Sequence, residues 1–272
     1  MKNKNYLVIV PIIMIVMLAC NTIALPFAST ATPAPSATFS PVPLLPSTIT
    51  PTSPPPLDFY FTNAFNPRGG TVYKLENGQI SEYFRRSRGS LLYCFAFGPD
   101  GTLYLVNIDS FHLLKVRDGQ EIQVFTHNNY IRDLAFDSNG TLYFSEDHGD
   151  AEDGKIYTLD GTTAKLFYTV KLSEVDGFWG GTFNLDQDDT LWLSSGNTVP
   201  SHLYKVENGV PTRVFTFEYE AMYGFYFAPG GHLVVANWAS NVYRLLAPDF
   251  KTRETISIPG AEHLADIVPL TR

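Results

Sequence analysis

Five polar residues stand at the same place in a repeated pattern, each closing a short apolar stretch. They are Asn63, Asn107, Glu146, Ser195 and Asn237. A fold that arranges the repeats around an axis would bring three amides, a carboxylate and a hydroxyl to one opening. Oxygen atoms of these types are ligands for Ca²⁺ and other hard divalent cations. The pattern predicts a metal site formed by Glu146, Asn107 and Asn237. The alternative is that asparagine ends a strand because its side chain bonds the backbone of a turn.

A second aligned set lies in the apolar stretch that opens each repeat, and it reads Cys94, Asp133, Thr182, Gly224 and Asp266. A carboxylate in such a place is costly to bury without a partner, so we expect a cation, a water chain or one of the arginines Arg132, Arg85, Arg86 and Arg88 beside it. Asp133 is predicted either as a general base that acts with Glu146 or as a hydrogen-bonding post between repeats. Cys94 is expected to be a small buried hydrophobic side chain.

Aromatic residues on the long connections between the apolar stretches offer a different chemistry. Aromatic planes beside amides and carboxylates stack on a sugar ring while the polar groups bond its hydroxyls. Trp179 and Trp238 lie on these connections, with tyrosines at Tyr130, Tyr219 and Tyr223. Packing at the rim of the fold is the alternative for both tryptophans. The predicted ligand-binding set is Asn63, Asn107, Trp179, Asn237 and Trp238.

The elements that carry these residues are four copies of one hairpin pattern. The copies read YCFAFGPDGTLYLVN at 93–107, RDLAFDSNGTLYFSE at 132–146, FNLDQDDTLWLSS at 183–195 and GFYFAPGGHLVVAN at 224–237. Each is an apolar strand, a tight turn and a second strand, which indicates a β-hairpin. Two further strands follow each copy, and the copies recur every 39 to 49 residues. The pattern therefore predicts an all-β fold, a β-propeller of four-stranded blades.

The two ends of residues 58–272 each supply part of one blade. Residues 58–84 match only strands two to four of the pattern, and LADIVPL at 264–270 matches only the first strand. We predict that the C-terminal strand pairs with the N-terminal strands, closes the ring and removes sheet edges that would favour aggregation. This arrangement counts five blades, with six as the alternative if one repeat is degenerate.

The connections between strands distinguish the two faces of such a ring. The turns within each hairpin, such as GPDG, DSNG and APGG, are short. The connections from strand two to strand three, and from strand four to the next blade, are longer and chemically mixed. We call the face on which these emerge the long-loop face. Long connections on a rigid scaffold usually carry the binding residues, so we expect function there.

The phrases AFGPDGTLYLVN and LAFDSNGTLYFSE resemble β-propellers of the NHL and SMP-30/gluconolactonase-like kind, over residues 58–272. Those families are six-bladed as a rule. The resemblance implies a divalent metal at the channel mouth, held by a glutamate near the first strand, an asparagine and an aspartate that doubles as base. Asn107 or Asn237 would supply the amide and Asp133 the base. The family's early glutamate motif is missing, and Asn63 stands where a carboxylate would help most.

The N-terminal residues predict export and a lipid anchor. Two lysines precede an apolar run, the layout of a signal peptide over residues 1–19. The residues MLAC at 17–20 resemble a bacterial lipobox, which implies acylation of Cys20. Cleavage after Ala24 and an uncleaved anchor are the alternatives. We therefore expect the protein to be a lipoprotein on the outer face of a bacterial membrane.

The segment after the predicted anchor differs in composition from the rest of the chain. Residues 26–57 contain ten Pro, eleven Ser or Thr and no charged residue. Such a segment cannot bury a core, and its prolines extend it. Residues 20–57 are thus predicted to be the anchor cysteine followed by a stalk, with the propeller over residues 58–272.

Two functional hypotheses of different class stay open. The net charge of −8 argues against nucleic acid as a partner. The first hypothesis is a surface-tethered propeller that binds an extracellular glycan, protein or small molecule on its long-loop face. The second is an enzyme, a hydrolase or lyase of the lactonase type that acts on a lactone or sugar ester. Its cofactor would be Ca²⁺ or another divalent cation, held near Glu146 and Asp133, which polarises the substrate carbonyl.

Overall fold

The computed structural model describes residues 57–63, 70–86, 92–107, 111–146, 153–176, 178, 182–196, 198–218, 220–247, 249–251, 253–261 and 263–270. Twenty strands form five four-stranded antiparallel sheets, which belong to one compact unit, Ser53–Arg272. The fold is a five-bladed β-propeller, as predicted. The signal peptide, Cys20 and the stalk lie outside the described residues. Within the described part of the chain, no helix has the length and apolar character needed to cross a membrane.

The strands are numbered in chain order, and each blade is given from its inner to its outer strand. The first blade comprises β20 (Leu264–Pro269), β1 (Phe59–Asn63), β2 (Thr71–Glu76) and β3 (Gln79–Arg85). The second comprises β4 (Leu92–Phe97), β5 (Leu103–Asn107), β6 (His112–Arg117) and β7 (Gln120–Thr126). The third comprises β8 (Ile131–Phe136), β9 (Leu142–Glu146), β10 (Gly154–Asp160) and β11 (Thr163–Val170).

The remaining two blades follow the same order. The fourth comprises β12 (Phe183–Leu185), β13 (Leu191–Ser194), β14 (Ser201–Glu207) and β15 (Val210–Phe217). The fifth comprises β16 (Met222–Ala228), β17 (His232–Asn237), β18 (Asn241–Leu245) and β19 (Arg253–Ser257).

The ring closes through the first blade. The C-terminal β20 pairs antiparallel with β1, with Phe59 opposite Pro269 and Phe61 opposite Ile267. The predicted closure is therefore confirmed. It gives β20 a partner strand and makes the last residues of the chain the inner strand of the blade that the first residues build.

Short turns between the third and fourth strands set the register of the outer hairpins. Asn77 and Gly78 have φ of 50° and 74°, and Asn208 and Gly209 have φ of 53° and 78°. Two consecutive positive φ values define the two-residue turn whose twist matches that of a hairpin, and Asn-Gly adopts it with the least strain.

The core lies between neighbouring blades. The second and third blades share one cluster, in which Val106 and Leu113 meet Ile131, Leu134 and Phe144. The outer strands contribute little, and β3 exposes nearly all of its residues. Each apolar side chain that is fully buried in this way contributes roughly 1.5–3 kcal/mol, so packing between neighbouring blades stabilises the ring.

Candidate functional site

The first residues of the five inner strands surround a small cavity. Its lining includes four of the five residues of the second aligned set, so the structure confirms that the repeats bring these positions together. The cavity measures about 10 Å³, room for roughly one water molecule. Because inner strands begin on the long-loop face, we call this opening the channel mouth. Its lining residues are Tyr93, Cys94, Arg132, Asp133, Thr182, Tyr223, Ala265 and Asp266.

Asp133 links the inner strands of two neighbouring blades. One carboxylate oxygen accepts the amide of Leu134 at 2.8 Å, and the other accepts the amide of Phe183, on β12, at 2.9 Å. The side chain is buried. This is the geometry of the hydrogen-bonding post that the sequence offered as one of two roles. A catalytic role for Asp133 stays a prediction, and the structure shows both of its oxygens engaged.

Asp266 repeats the arrangement on the other side of the ring. Its oxygens accept the amide of Ile267 at 2.8 Å and the amide of Phe95, on β4, at 3.0 Å. Gly224 packs against the other side of Asp266. A side chain does not fit at position 224, because a Cβ there would lie 2.8 Å from the Cα of Asp266. Residue types therefore differ within the aligned set because some positions bond the neighbouring blade and others leave room for it.

Burial governs the protonation of these groups. It raises the pKa of Asp133 to about 7, although the two amide hydrogen bonds and the Arg132 guanidinium act to lower it. Burial, and then the charge of Asp133, raise the pKa of Asp266 well above its ordinary value. Burial thus favours the protonated form of both carboxyl groups. Burial also raises the pKa of the Cys94 thiol, which favours the expected role of a buried hydrophobic side chain over that of a nucleophile.

A half-buried arginine lies between these carboxyls and solvent. The guanidinium carbon of Arg132 lies 4.3 Å from the ring centroid of Tyr93, and its Nη2 donates to the Tyr93 hydroxyl at 3.4 Å. Tyr223 shares the cavity; burial and then Tyr93 raise the pKa of its hydroxyl, whereas Arg132 lowers it. All three side chains are partly exposed. The mouth thus offers a guanidinium, two phenol hydroxyls and two aromatic rings.

The sequence contained a signal for this cluster that the prediction did not use. Tyr93, Arg132 and Tyr223 each precede a member of the second aligned set by one residue. Since successive side chains of a strand point to opposite faces, the residues one position before the aligned set form a separate aligned column. Arg132 was considered only as a partner for the carboxylates, and Tyr223 only as one of several aromatics on the connections.

The first aligned set is engaged locally. Glu146 is buried; its oxygens accept the Lys155 ammonium at 2.8 Å and contact His127 Nε2 at 2.7 Å. Asn129 donates to the same carboxylate at 3.2 Å. Burial acts to raise the pKa of Glu146, but the hydrogen bonds from Lys155, His127 and Asn129 outweigh it, so the pKa is lowered. Glu146 is an ionised group that fastens a loop to two strands.

Asn237 and Ser195 show the turn chemistry named as the alternative, whereas Asn63 accepts the amide of His263, just before the inner strand of its own blade, at 3.4 Å. Asn237 accepts the amide of Asn241 at 3.2 Å, and its Nδ2 donates to the Tyr243 hydroxyl at 3.1 Å. Ser195 accepts the amide of His202 at 2.8 Å. Each bond lies within one blade.

These contacts decide how well the described residues suit a divalent cation. The carboxylate of Glu146 already binds an ammonium group, and the amide oxygen of Asn237 already accepts a backbone N–H, so the described donors do not fit a cation. Among the described residues, no three His, Cys, Asp or Glu side chains gather in a way that could hold a metal ion. The side chain of Asn107 lies outside the described part of the structure, and so do the residues Trp179 and Trp238. The roles of all three stay predictions.

A wider groove lies elsewhere on the molecule. It measures about 670 Å³, and its lining includes Phe167 and Tyr168 of β11 and Asp188, Asp189 and Glu207 of the fourth blade. Asp189 accepts the amide and hydroxyl of Ser138, and Glu207 pairs with Lys205 at 2.7 Å. Two carboxylates of this groove are thus engaged within the protein. As a ligand site, the groove is favoured by its volume alone, whereas the mouth is favoured by hydrogen-bond donors and aromatic rings that converge on it.

Comparison with known proteins bears on the fold. No protein-family model matches the sequence, and no curated protein does. A chain of a nidogen/laminin complex superposes with a TM-score of 0.54 at 11% identity, over 78% of this chain and 97% of that one. The fold is shared. A gluconolactonase from Xanthomonas campestris superposes with a TM-score of 0.52 at 12% identity, over 77% of this chain and 78% of that one.

A third structure is similar over a smaller share of its length. Virginiamycin B lyase from Staphylococcus aureus matches with a TM-score of 0.41 at 18% identity, over 70% of this chain, and the match spans 63% of the lyase. Identities this low show the fold alone. The predicted resemblance to gluconolactonase-like propellers is confirmed at that level, with five blades where the family was expected to have six.

Proposed function

We propose that this protein is a surface-tethered propeller that binds an extracellular glycan or protein at the channel mouth on its long-loop face. The observation that carries the proposal is the cluster of Tyr93, Arg132 and Tyr223. A partly exposed guanidinium beside two phenol rings combines strong donors with aromatic faces. The inner strands hold this cluster rigidly, so little ordering is needed when a ligand binds.

The small size of the cavity determines where the ligand lies. A cavity of about 10 Å³ holds no ring, so the ligand rests over the mouth and not inside the channel. An exposed aromatic pair beside the mouth enlarges the surface: Tyr130 precedes β8, and its ring centroid lies 4.3 Å from that of Phe111. The predicted stalk would raise the propeller above the membrane.

The alternative enzyme receives less support from the described contacts. Hydrolysis assisted by a metal needs free oxygen ligands, whereas the described candidates already bond protein groups. The fold does not choose, since propellers occur among both binding proteins and enzymes. A gluconolactonase and a chain from a nidogen/laminin complex are similar to this chain to nearly the same extent.

The test uses the propeller alone, residues 53–272, because its ring and its core clusters close within that unit. Arrays of glycans and of purified extracellular proteins are probed with wild type, Tyr93→Ala and Tyr223→Ala. We expect at least one ligand whose binding falls about tenfold in each variant, which corresponds to 1.4 kcal/mol. Phe167→Ala, in the groove, is the matched control and should bind normally.

A second arm tests the enzyme. Melting is followed with EDTA and with millimolar Ca²⁺, Mg²⁺ or Mn²⁺, since a ligand of the native state raises its melting temperature. We expect no change. A saturable rise that is lost in Glu146→Gln, together with arrays that show no ligand sensitive to Tyr93 or Tyr223, would overturn the binding proposal in favour of a metal enzyme.

A further inference from the structure

The outer edges of the blades differ in a way that bears on association between copies of the protein. In the first four blades the pairing of the outer strand skips one residue, which is a β-bulge. The skipped residues occupy equivalent positions and are Tyr83, Val124, Phe167 and Val214. A bulge bends an edge strand and interrupts the row of N–H and C=O groups that another strand would need. These four edges are thus protected against pairing with a further strand.

The outer edge of the fifth blade pairs without this interruption. Along the described residues of β18 and β19 the register runs without a shift, from Asn241 opposite Ser257 to Leu245 opposite Arg253. β19 is the last strand of its sheet, and its residues alternate between exposed and half-buried. Its sequence, RETIS, contains no proline. It therefore offers another strand a regular edge of 5 residues.

The charged side chains of β19 are directed onto their own blade. Charges on an edge strand usually protect it, because an approaching strand would have to bury or repel them. Here the guanidinium carbon of Arg253 lies 3.5 Å from the ring centroid of Tyr243, and its Nη2 donates to Glu220 at 3.0 Å. Glu254 accepts from the Nε of Arg244 at 2.7 Å. Both charges of the strand are paired within the protein, so this edge lacks the charge protection as well as the bulge.

We propose that β19 pairs with β19 of a second copy of this chain, antiparallel and centred on Thr255, and that the propeller dimerises through this edge. A two-fold axis at Thr255 places Arg253 opposite Ser257 and Glu254 opposite Ile256 of the other copy. Like charges then do not face each other, whereas a parallel pairing in register would place Arg253 against its own copy. Threonine favours strands, and two threonines form a favourable pair across neighbouring strands.

Dimerisation goes beyond the proposed function and does not depend on it. β19 is the outermost strand of its blade, whereas the mouth is formed by the first residues of the inner strands, so the dimer leaves both mouths open. For the ligand of the proposed function, two mouths on one dimer strengthen binding where the recognised unit repeats. An interface built on one strand of 5 residues is smaller than that of a permanent dimer, so we expect a weak and reversible association.

The test is sedimentation equilibrium of residues 53–272 from low micromolar to submillimolar concentrations. We expect a monomer–dimer equilibrium. Thr255→Lys brings two ammonium groups together at the axis and should weaken dimerisation at least tenfold. Thr212→Lys, on the bulged strand β15, is the matched control and should dimerise as wild type does. Both threonines are exposed, so both variants should keep the melting temperature of wild type.

A mixture of two variants tests the contact at the axis itself. Thr255→Asp alone should also dimerise poorly, because two carboxylates then face each other. Mixed with Thr255→Lys, it should form a heterodimer that is tighter than the homodimer of either variant, since opposite charges meet. Hydrogen exchange of residues 253–257 should slow in wild type as the protein concentration rises.

Three results would contradict the inference. A wild type that stays monomeric over the whole range shows that the edge does not pair with its own copy. A dimer that Thr255→Lys leaves unchanged, or a mixture without a tighter heterodimer, places the interface elsewhere. A dimer of residues 53–272 that residues 21–272 do not form assigns the edge to the predicted stalk. Ligand binding at the mouth is tested separately by Tyr93→Ala and Tyr223→Ala.

Discussion

At the scale of single residues, two aspartates at equivalent positions of the mouth have the same structural role. Asp133 and Asp266 each join a blade to the next by accepting a backbone amide across the gap. Two of the remaining positions contact the neighbouring blade in other ways. Thr182 donates its hydroxyl to the carbonyl of Tyr223 at 2.7 Å, while Gly224 gives way to Asp266. The aspartate that recurs at this position therefore marks a contact between blades and not a set of ligand-binding residues.

Replacing Asp266 by Asn should destabilise the ring. An amide keeps one acceptor oxygen and turns an N–H₂ group toward a backbone N–H, so a buried donor loses its partner. We expect a loss of about 1–3 kcal/mol in the free energy of unfolding, measured by urea denaturation. Asp118→Asn, in an exposed turn, is the control. An unchanged urea midpoint for Asp266→Asn would show that the hydrogen bonds of Asp266 do not contribute to stability.

The carboxyl pair should also give stability a distinctive dependence on pH. The native pKa of Asp133 is raised from 3.8 to about 7, so the native state holds a proton that the unfolded chain releases. Its stabilising contribution is full below about pH 4 and is lost as the pH rises through about 7. The destabilisation caused by Asp133→Asn, measured by urea denaturation at several pH values, should shrink across that interval. A destabilisation that grows with pH would mean that the native pair is ionised.

At the scale of elements, Glu146 shows how a connection is fastened. It ends β9, faces Lys155 of β10 and contacts His127 and Asn129 of the connection that leads into β8. One carboxylate thus holds a loop of the second blade against two strands of the third. The loop in turn sets where β8, and with it Arg132, begins.

The variant Glu146→Gln should lose this fastening. A neutral amide has one oxygen where Glu146 uses two, so it cannot accept from Lys155 on one side and from His127 and Asn129 on the other. We expect a loss of about 1.5–3 kcal/mol in unfolding free energy. Hydrogen exchange should increase first in residues 127–131. Lys155→Gln, which changes a side chain that is itself partly exposed, should cost less. Faster exchange confined to another blade would contradict this role for Glu146.

The hairpins and the aligned positions were predictable because their signals are local. Alternation of apolar residues and Asn-Gly turns act within a few residues, and a repeat places equal positions at equal heights. The partners of each position were not predictable. Glu146 meets His127 and Lys155, and Asn237 meets Glu220, through contacts between elements that no repeat encodes. Of the predicted metal set, Glu146 and Asn237 end equivalent strands but bond separate partners.

At the scale of the whole molecule, the ring depends on its last strand. The buried residues Leu264 and Ile267 pack with Phe59 and Phe61, and Asp266 bonds the second blade. The C-terminal strand thus contacts three blades. A propeller closed in this way presents its mouth as a fixed platform.

Deletion of residues 264–272 should unfold the propeller. Removing two buried aliphatic side chains costs roughly 2–5 kcal/mol each, which approaches the 5–15 kcal/mol that stabilises a typical domain. We expect loss of the cooperative melt by circular dichroism. A synthetic peptide of residues 262–272 should restore it, and a scrambled peptide should not. A cooperative melt without the strand would show that the ring does not need closure.

The central claim is that the channel mouth on the long-loop face binds the ligand. The most direct measurement compares wild type, Arg132→Gln and Phe167→Ala, all as residues 53–272, on one array of acidic and neutral glycans. The account predicts binding to at least one glycan that is lost in Arg132→Gln and kept in Phe167→Ala, with equal melting temperatures for all three proteins. Binding that survives Arg132→Gln and disappears in Phe167→Ala would contradict it and move the ligand to the groove between the third and fourth blades.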